Sequence, residues 1–517
     1  MKREILINST SRETRVAILE DDQLVELLID RPEARRMVGD IYLGRVEAVQ
    51  PGIQAAFVDI GTEKSAFLHA SDVVAADADD DEDDEEEDDD SEESPRGRGR
   101  REKAPPIQDV IKKGDTLLVQ VSKEPISTKG PRVTAQVSLA GRFLVFMPHA
   151  SRVGVSRKIG ERAERQRLRE QVEGMLPEKS GGVIVRTVGE DATPEAFKRE
   201  LDTLMGAWKK VKRKQTFVRA PSLLHRETSL TRGIIRDVFS TKIERIEVDS
   251  RQIYNEIVEY LKGVAPELIE RIQLYEGQVP LFDKADIETE IRDLFKRRCE
   301  LPSGGYLIIE PTEALVSVDV NSGRFTGKKD PEKTILRTNI EAAREVARQI
   351  RLRDIGGIIV ADFIDMETRS NRDRVLQELR MHLSRDRART KAFPVSDLGL
   401  IEMTRQRVRQ SHLQSMTASC PTCGGTGRVF TPETIVRRVE RSVKRMGVEG
   451  RKEHVVVRLH PDVAFYLLEQ EKDYLRKLEK VAGFPVELRD DPLLRPDEFK
   501  LVQKGAGRDV TQQYSVA

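Results

Sequence analysis

Two aspartates follow apolar stretches that are typical of neighbouring strands, and both are candidates for metal chemistry. Asp319 closes the apolar run in ALVSVDVNSGR, and Asn321 comes two residues later. Because side chains alternate along a strand, these two side chains share one face. Asp362 follows the apolar stretch in GGIIVADFIDM, where Asp365 is expected to point elsewhere if the strand continues. Two carboxylates at the ends of adjacent buried strands are costly unless a cation compensates them.

Mg²⁺ is the cation that best suits this pattern. It binds oxygen ligands and typically takes one or two carboxylates while it keeps several waters. An ion held by Asp319 and Asp362 would activate a water for attack on a phosphodiester and stabilise the charge on the phosphate oxygens. For either aspartate alone, the alternative is a structural role as the cap of a strand end or turn. The combination with Asn321 favours the metal site.

A second candidate metal site is the cysteine pair in TASCPTCGGTG. Cys420 and Cys423 have the spacing of zinc ligands, but a structural zinc site needs four thiolate or imidazole groups. Nothing nearby in the sequence completes it. The CxxCxGxG repeat of zinc-binding chaperone modules is an alternative, but such modules need several repeats and this chain has one. Cys299, in a segment predicted as helical, has no partner in sequence and is expected to be a buried thiol.

Aromatic and basic residues in the glycine-rich N-terminal region are candidates for binding nucleic acid. Phe57 and Phe67 are suited to stack on bases, and Lys123 and Lys129 to hold the phosphates beside them. Packing in a hydrophobic core is the alternative for both phenylalanines. These four residues therefore predict a surface that binds single-stranded nucleic acid. Whether the two phenylalanines belong to this surface or to the core stays open.

A strand in GGVIVRTVGE ends at another possible phosphate ligand. Arg186 offers a planar guanidinium fork and Thr187 a hydroxyl, a combination that suits a phosphate group. Surface ion pairing is the ordinary role of such an arginine, so this pair alone is a weak signal.

The elements that must position these residues follow from periodicity. The first thirty residues alternate apolar and polar, which predicts a small meander. The segments before and after the acidic insertion predict about five short strands with glycine-rich turns, the number in an OB-type barrel. Residues 304–404 alternate strands and helices, with the sequence TNIE at Thr338–Glu341 predicting a capping box. A small αβ unit follows the cysteines, and the polar tail GAGRDVTQQYSVA is expected to fray.

The charge is distributed unevenly along the chain. Residues 77–93 hold 15 acidic side chains and no basic one, so the remainder has 88 Lys and Arg against 74 Asp and Glu, a net charge of +14. Such a basic body favours a polyanionic partner. The like charges within the low-complexity stretch 75–106 repel one another, so this stretch is predicted to be a disordered insertion. A surface loop of the barrel tolerates such an insertion at modest entropic cost.

The 517 residues are enough for three or more domains. Three cysteines exclude a disulfide scaffold. The N-terminus has no apolar stretch of signal-peptide type, and no run approaches the length of a membrane span. Together these features favour a cytoplasmic protein.

Six stretches together resemble the ribonuclease E/G family of bacterial endoribonucleases: GDIYLGRVEAVQPGIQAAFVDIG, SAFLHASDV, VDVNSGR, GGIIVADFIDM, EMTRQRVRQS and CPTCGGTGRV. They span nearly the whole chain in the family's order, and the short length resembles the shorter branch of the family. The acidic insertion and the length of the linker after MPHASRVGVSRK depart from the family pattern.

The resemblance implies a multidomain α/β and α+β fold. Its parts would be a divided ribonuclease-H-like domain (1–36 and 231–294), an OB-fold RNA-binding barrel (37–136) with the insertion 75–106, a 5′ sensor (137–230), a deoxyribonuclease-I-like catalytic domain (295–416), a zinc link (417–430) and a small α/β C-terminal domain (431–517).

The resemblance also implies roles for particular residues. The family's magnesium-binding aspartates fall on Asp319 and Asp362, and its supporting asparagine on Asn321. Its RNA contacts in the OB domain fall on Phe57, Phe67, Lys123 and Lys129. Its pocket for a 5′ monophosphate falls on Gly141, Val145, Arg157, Arg186 and Thr187. In the family, one CxxC from each of two subunits shares a zinc ion, so Cys420 and Cys423 would form half of a site that joins a homodimer, with a dimer of dimers left open.

The expected function is that of a single-strand-specific, Mg²⁺-dependent endoribonuclease of RNA processing and decay. It would be stimulated by a 5′ monophosphate and leave 3′ hydroxyl and 5′ phosphate ends. One alternative is a non-enzymatic RNA-binding or ribosome-associated factor that uses the barrel alone and binds RNA without shortening it. Another is a nuclease for DNA, which matched RNA and DNA oligomers would distinguish.

Overall fold

The computed structural model describes most of the chain, and the chain divides into two compact units, Met1–Ser411 and His412–Ala517. The described residues are 2–31, 37–73, 105–125, 130–156, 159–177, 180–227, 230–237, 239, 243–323, 331–396, 398–407, 409–450, 454–470 and 473–515. The predicted insertion at 75–106 lies almost wholly outside them, as do Lys129 and Arg157.

The strands, in chain order, are β1 (Arg3–Ser9), β2 (Thr14–Glu20), β3 (Gln23–Asp30), β4 (Ile41–Gln50), β5 (Ala55–Asp59), β6 (Ala66–His69), β7 (Thr116–Lys123), β8 (Arg132–Thr134), β9 (Leu139–Ala140), β10 (Leu144–Met147), β11 (Val153–Val155), β12 (Gly182–Val185), β13 (Ser222–His225), β14 (Arg245–Val248), β15 (Ile272–Leu274), β16 (Arg298–Glu300), β17 (Tyr306–Pro311), β18 (Leu315–Asn321), β19 (Gly357–Asp362), β20 (Thr390–Ala392), β21 (Leu400–Arg405), β22 (Val455–Leu459), β23 (Val486–Asp490) and β24 (Phe499–Gln503).

The helices are α1 (Ile107–Val110), α2 (Arg162–Glu173), α3 (Pro194–Phe217), α4 (Leu230–Asp237), α5 (Arg251–Val264), α6 (Leu281–Lys284), α7 (Glu288–Asp293), α8 (Pro331–Leu352), α9 (Arg369–Leu383), α10 (His412–Met416), α11 (Pro432–Val448), α12 (Pro461–Gln470), α13 (Tyr474–Ala482) and α14 (Thr511–Tyr514). None of the described helices is long and apolar enough to cross a membrane.

The predicted meander is present as β1, β2 and β3, and it belongs to a larger sheet of order β15-β14-β1-β2-β3. β1 pairs antiparallel with β2 and parallel with β14, which lies more than 230 residues away in the chain. Alternate residues of β1 pack on opposite faces: Ile5 and Ile7 lie in one hydrophobic cluster and Leu6 in another. Both faces of this sheet are therefore covered, as the continuous apolar character of β1 requires.

The predicted five-stranded barrel is also present. Its strands follow the order β4-β5-β6-β8-β7, and β7 pairs with β4 to close it. Val46, Val58, Leu68, Val119 and Val133 fill the interior, each at most 1% exposed. β13 adds to the outside of the closed barrel by pairing antiparallel with β4.

A small sheet of order β11-β12-β10-β9 packs with α2 and α3 on a separate cluster of buried residues. A six-stranded sheet, β16-β17-β18-β19-β21-β20, follows in the chain. Helices α8 and α9 contribute Val346, Ile350, Val375 and Leu379 to its core. The buried residues of these strands alternate with exposed or half-buried ones, so the helices cover one face of the sheet.

The second unit is a three-stranded sheet, β23-β22-β24, with α11, α12 and α13 packed around its core. Here the expectation of a fraying tail is wrong. Val510 and Tyr514 are 5% and 0% exposed, and Leu501 donates its amide to Thr511 Oγ1 at 2.8 Å. Two apolar residues four apart thus anchor the polar tail as α14.

Two further local predictions are wrong. Thr338 is not a helix cap, because α8 begins seven residues earlier at Pro331, and its hydroxyl donates to the Thr334 carbonyl at 3.1 Å within the helix. Cys299 lies in strand β16 rather than in a helix, because α7 ends at Asp293. The thiol is buried, as expected, and accepts a hydrogen bond from Arg353 Nη2 at 2.9 Å.

Candidate active site and RNA-binding surfaces

The two candidate metal-binding aspartates lie side by side on parallel strands. β18 and β19 pair in a register that puts Asp319 opposite Asp362. Their neighbours Val318, Val320 and Ala361 point into the core, so both carboxylates are exposed on the face that the helices leave open. The alternation of side chains along a strand thus separates the reactive groups from the core residues that hold the strands.

Asn321 lies on the same face and supports Asp319. Its Nδ2 donates to Asp319 Oδ2 at 2.8 Å, which fixes the orientation of that carboxylate and leaves Oδ1 for a ligand. The sequence prediction that the two side chains share a face is therefore confirmed. An amide that holds a carboxylate in this way is the usual outer support of a metal ligand.

The electrostatics of this face favour a cation. Partial burial and then the negative charges of Asp319 and Asp365 raise the pKa of Asp362 above its usual value. Among the described residues, no group of three or more His, Cys, Asp and Glu side chains is arranged to hold a metal ion. Two carboxylates fit Mg²⁺ nevertheless, because this ion often takes one or two and completes its shell with water and substrate oxygens.

A cleft of about 560 Å³ adjoins Asp365, and the backbone that leads to it is held by a residue that the sequence analysis missed. Asn339 of α8 is fully buried; its Nδ2 donates to the Ile364 carbonyl at 2.8 Å, and its Oδ1 accepts from the Ile364 amide at 3.1 Å. Both hydrogen bonds fix the chain between Asp362 and Asp365. The sequence signal that could have identified Asn339 is an amide side chain at a position of the helix where the pattern predicts a buried apolar residue.

On the barrel, the candidate RNA contacts form a row across four strands. Phe57 pairs with Phe67, Phe67 with Arg132, and Arg132 with Lys123. The two rings meet edge to face with centroids 6.0 Å apart, and neither belongs to the buried interior. Arg132, which the sequence analysis missed, pairs with Asp72 at 2.7 Å. Half-exposed aromatics beside cations match the general pattern of single-strand binding surfaces.

The candidate phosphate pocket is partly assembled. Arg186 Nη1 donates to the Gly141 carbonyl at 2.7 Å, Val145 lies on the adjoining strand β10, and Thr187 follows Arg186 directly. A Cβ at residue 141 would lie 2.6 Å from the carboxyl carbon of Glu200, so a larger residue there would have to displace the Glu200 carboxylate. Arg157, the fifth residue of this predicted pocket, is outside the described residues.

Two acidic residues that the sequence analysis missed shape this pocket. The buried Glu200 carboxylate accepts the amides of Arg142, Phe143 and Leu144 at 2.5, 2.7 and 2.9 Å, which fixes the turn after Gly141. Burial raises the pKa of Glu200, and the three amide donors only partly oppose that rise.

Asp237 accepts a hydrogen bond from Arg186 Nη1 at 2.7 Å, so the arginine predicted to read a phosphate is already paired with a carboxylate. Burial would raise the pKa of Asp237, but the hydrogen bonds and charges of Arg236 and Arg186 outweigh burial and lower it. Asp237 is therefore ionised at neutral pH and competes for Arg186.

The cysteine pair forms a tight turn in the second unit. The Gly424 amide donates to the Cys420 carbonyl at 2.8 Å, and the Gly427 amide donates to Cys423 Sγ at 3.3 Å. Hydrogen bonds from the Cys423 and Thr422 amides lower the pKa of Cys420 below the usual value. A sulfur supported by backbone amides is suited to bind zinc, so the turn could supply two of the four ligands that a structural zinc site needs.

Comparison with known proteins decides the family. The model of the ribonuclease E/G family matches residues 138–408, and a model of the ribonuclease E/G thioredoxin-like domain matches residues 419–504. The chain belongs to the ribonuclease E/G family. This confirms the resemblance seen in the six sequence stretches and assigns the second unit to the family's thioredoxin-like domain.

Relatives of this family match along nearly the full chain. Ribonuclease G of Haemophilus influenzae is 40% identical over 500 residues, which cover 96% of this chain and 99% of the relative. Ribonuclease G of Escherichia coli (strain K12) is 40% identical over 97% of this chain and 100% of its own. Ribonuclease E of Haemophilus influenzae is 35% identical over all of this chain but only 54% of its own length.

Proposed function

We propose that the protein is a single-strand-specific, Mg²⁺-dependent endoribonuclease of RNA processing and decay. The observation that carries the proposal is the parallel register of β18 and β19, which brings Asp319 and Asp362 together on an exposed face. The names of the ribonuclease G and E relatives support RNA as the substrate. The open sheet face supports a polymeric substrate, because an extended chain can lie across it.

In this proposal, Asp319 and Asp362 hold Mg²⁺, and Asn321 keeps Asp319 in the orientation that binding requires. The bound ion would activate a water and neutralise charge on the scissile phosphate. The products would be a 3′ hydroxyl and a 5′ phosphate. Asn339 holds the turn after Asp362, so that the carboxylate keeps its position while substrate enters and leaves.

The barrel and the small sheet supply substrate binding. The row formed by Phe57, Phe67, Arg132 and Lys123 would stack bases and contact phosphates upstream of the cut, together with Lys129. Gly141, Val145, Arg157, Arg186 and Thr187 would receive a 5′ monophosphate and so stimulate cleavage. The direct contact between Arg186 and Gly141 supports this assignment.

The finer fold assignments are part of the same proposal. The order β15-β14-β1-β2-β3, with β2 antiparallel to its neighbours, supports a ribonuclease-H-like domain in two parts. The helix-covered six-stranded sheet would be the deoxyribonuclease-I-like domain. Cys420 and Cys423 would share a structural Zn²⁺ with the same pair of a second subunit, which gives a cytoplasmic homodimer.

The test is cleavage of a labelled single-stranded RNA that carries either a 5′ monophosphate or a 5′ hydroxyl, in Mg²⁺. Wild-type protein is expected to cut internally and faster on the monophosphate. Asp319→Ala removes one of two metal-binding carboxylates and is expected to abolish cutting. Asn321→Leu keeps both carboxylates and should slow cutting by about 10- to 100-fold, as loss of an outer support usually does.

Ser317→Ala is the matched control, because Ser317 lies two residues before Asp319 on the same strand face and its hydroxyl donates to the Glu310 carbonyl rather than to Asp319 or Asp362. It should cut like wild type. Binding of RNA without cuts by wild-type protein would replace the proposal with a non-enzymatic RNA-binding role, and equal cutting of a matched DNA would replace the substrate.

A further inference from the structure

A basic cleft lies between helix α3 and strand β13, apart from the aspartate site and from the predicted phosphate pocket. Its volume is about 780 Å³. β13 pairs with β4 of the barrel, so main-chain hydrogen bonds attach one wall of the cleft to the barrel. The residues that line it on the helix side are Asp202, Thr203, Gly206, Ala207, Lys210, Val211 and Lys214.

The spacing of those helix residues explains the shape of the cleft. They recur at intervals of three and four, so they form one stripe along α3. Gly206 and Ala207 have small side chains or none, so they leave space at the bottom of the cleft. A Cβ at residue 206 would meet nothing within 4 Å. Lys210 and Lys214 rise beyond these two residues on the same stripe, and Arg226 faces them from beyond β13. All three cations are exposed.

The surrounding segment is strongly positive. Residues 203–226 contain seven Lys and Arg and no Asp or Glu. Asp202 also lines the cleft, but in the part of the chain that the structure describes Lys210, Lys214 and Arg226 form no ion pair with it or with another carboxylate. Lys214 instead donates to the Leu223 carbonyl at 2.7 Å, a contact that holds the side chain across the cleft. Unpaired cations at this density attract a polyanion.

Aromatic groups accompany the cations. Phe217, the last residue of α3, is 82% exposed. Nearer the middle of the helix, the Lys212 ammonium lies 5.4 Å from the centre of the Trp208 ring, which contacts His149 edge to face. Burial and then the charge of Lys212 lower the pKa of His149, in keeping with a positive potential there. A basic groove with an exposed ring at its end suits an unpaired strand, whose bases are free to stack.

We propose that this cleft is an additional binding surface for single-stranded RNA, which contacts phosphates through Lys210, Lys214 and Arg226 and a base through Phe217. The proposal rests on RNA as the substrate but not on the metal site or the 5′ pocket. Its role would be to hold a segment of the RNA outside the active site, which lowers Kd for long RNAs through added phosphate contacts.

The test compares two charge-matched double variants in the cleavage-deficient Asp319→Ala protein. Lys210→Glu with Arg226→Glu reverses two cleft charges and leaves the Lys214 contact intact. Lys198→Glu with Lys209→Glu makes the same charge change at exposed positions of α3 that do not line the cleft. The probes are a 20-nucleotide oligouridylate with a 5′ hydroxyl and a 20-base-pair RNA duplex.

For the oligouridylate, the cleft variant should raise Kd at least tenfold, and the control variant by no more than about twofold. The slope of log affinity against log salt concentration should fall by about 1.4, since each phosphate contact to a single strand contributes about 0.7. Phe217→Ala is expected to raise Kd about fivefold or more without changing that slope, because a stacked base contributes roughly 1–3 kcal/mol.

Equal weakening by both double variants would overturn the proposal, because it would assign the effect to general charge. Loss of duplex binding with unchanged oligouridylate binding would overturn it in favour of a duplex surface. If the cleft variant does not fold by circular dichroism, Lys210→Gln with Arg226→Gln replaces it, with an expected rise in Kd of about threefold or more. A wild-type protein that fails to cut RNA would count against the proposed function. It would not change the conclusion about the cleft, because the Kd values are measured without cleavage.

Discussion

At the scale of the residue, the site depends on which carboxylates are paired with cations and which are not. Asp354 and Asp386 are buried beside arginines, whereas Asp319 and Asp362 face each other across neighbouring strands. Burial alone would raise the pKa of Asp354, but the charges and hydrogen bonds of Arg409 and Arg405 together outweigh burial and lower it, whereas partial burial and neighbouring carboxylates raise the pKa of Asp362. Among the described residues, no Lys or Arg forms an ion pair with Asp319 or Asp362, and a carboxylate pair without a cation is a typical sign of function rather than of structural pairing.

Arg186, unlike the two candidate metal ligands, already pairs with a group of opposite charge, Asp237. Asp237→Asn should strengthen binding of a 5′ monophosphate, since it keeps a side chain of the same size but removes the charge that competes with phosphate for Arg186. The expected decrease in Kd for a 5′-monophosphorylated RNA is about threefold, the size of a partly exposed ion pair. Kd for the 5′-hydroxyl RNA should stay the same, which isolates the pocket.

Both Kd values would be measured in the Asp319→Ala protein to prevent cleavage. Glu195→Gln is the control, because it neutralises an exposed carboxylate in the first turn of α3 and leaves the pair of Arg186 with Asp237 intact. An equal gain for both RNA ends would indicate a general charge effect. A loss of monophosphate binding would mean that Asp237 orients Arg186 for the ligand rather than competing with it.

At the scale of the element, the six-stranded sheet is tied together by Arg405 of β21. Its Nε donates to Asp386 Oδ2 at 2.6 Å, after α9, and its Nη1 donates to Asp354 Oδ1 at 2.9 Å, after α8. The three side chains are at most 5% exposed. One arginine therefore joins the ends of both covering helices to the strand beside β19.

Arg405→Met should destabilise the first unit by about 3–5 kcal/mol at pH 7, because it leaves the buried Asp386 without its cation and leaves Asp354 with Arg409 alone. The sign of the pH dependence follows from the lowered pKa of Asp354. In wild type, its contribution is complete above an unfolded-state pKa of about 3.9 and is lost only as pH falls through the lower folded value.

In the variant, Asp354 has lost one of the two arginines that lower its pKa and gains a proton more easily, so the gap in stability between wild type and variant should narrow as pH falls from 7 towards 4. Thermal unfolding followed by circular dichroism at several pH values measures this gap. Arg297→Met is the control, because its pair with Glu310 is largely exposed and should contribute less than about 1 kcal/mol. A gap that stays constant with pH would contradict the assignment to the carboxylates.

The elements also explain what the sequence could predict. The alternation in ALVSVDVN was enough to place Asp319 and Asn321 on one face, because a strand has a fixed period of two. Arg132 was missed because its place between Phe67 and Lys123 depends on pairing of strands far apart in sequence. The capping box at Thr338 failed because packing of α8 against the sheet extends the helix past a local signal. Short runs such as that around Cys299 fit a helix or a strand equally well.

At the scale of the whole molecule, family membership accounts for both units, and the proposed zinc link would define how many copies of the chain act together. Each Cys420–Cys423 turn offers two sulfurs to a metal that takes four ligands. Within the described residues, no further His, Cys, Asp or Glu completes the set. A second copy of the turn is the simplest source of the other two ligands.

Cys420→Ser with Cys423→Ser should therefore convert a zinc-containing dimer into a zinc-free monomer, because a hydroxyl does not replace a thiolate as a zinc ligand. Light scattering after gel filtration measures the mass, and elemental analysis of the same peak measures zinc, expected at one ion per two chains in wild type. Thr422→Ala is the control, since this exposed residue lies between the cysteines and carries no metal-binding sulfur. A double variant that remains dimeric without zinc would assign the dimer to another surface, and a zinc content of one ion per chain would require ligands from within one copy.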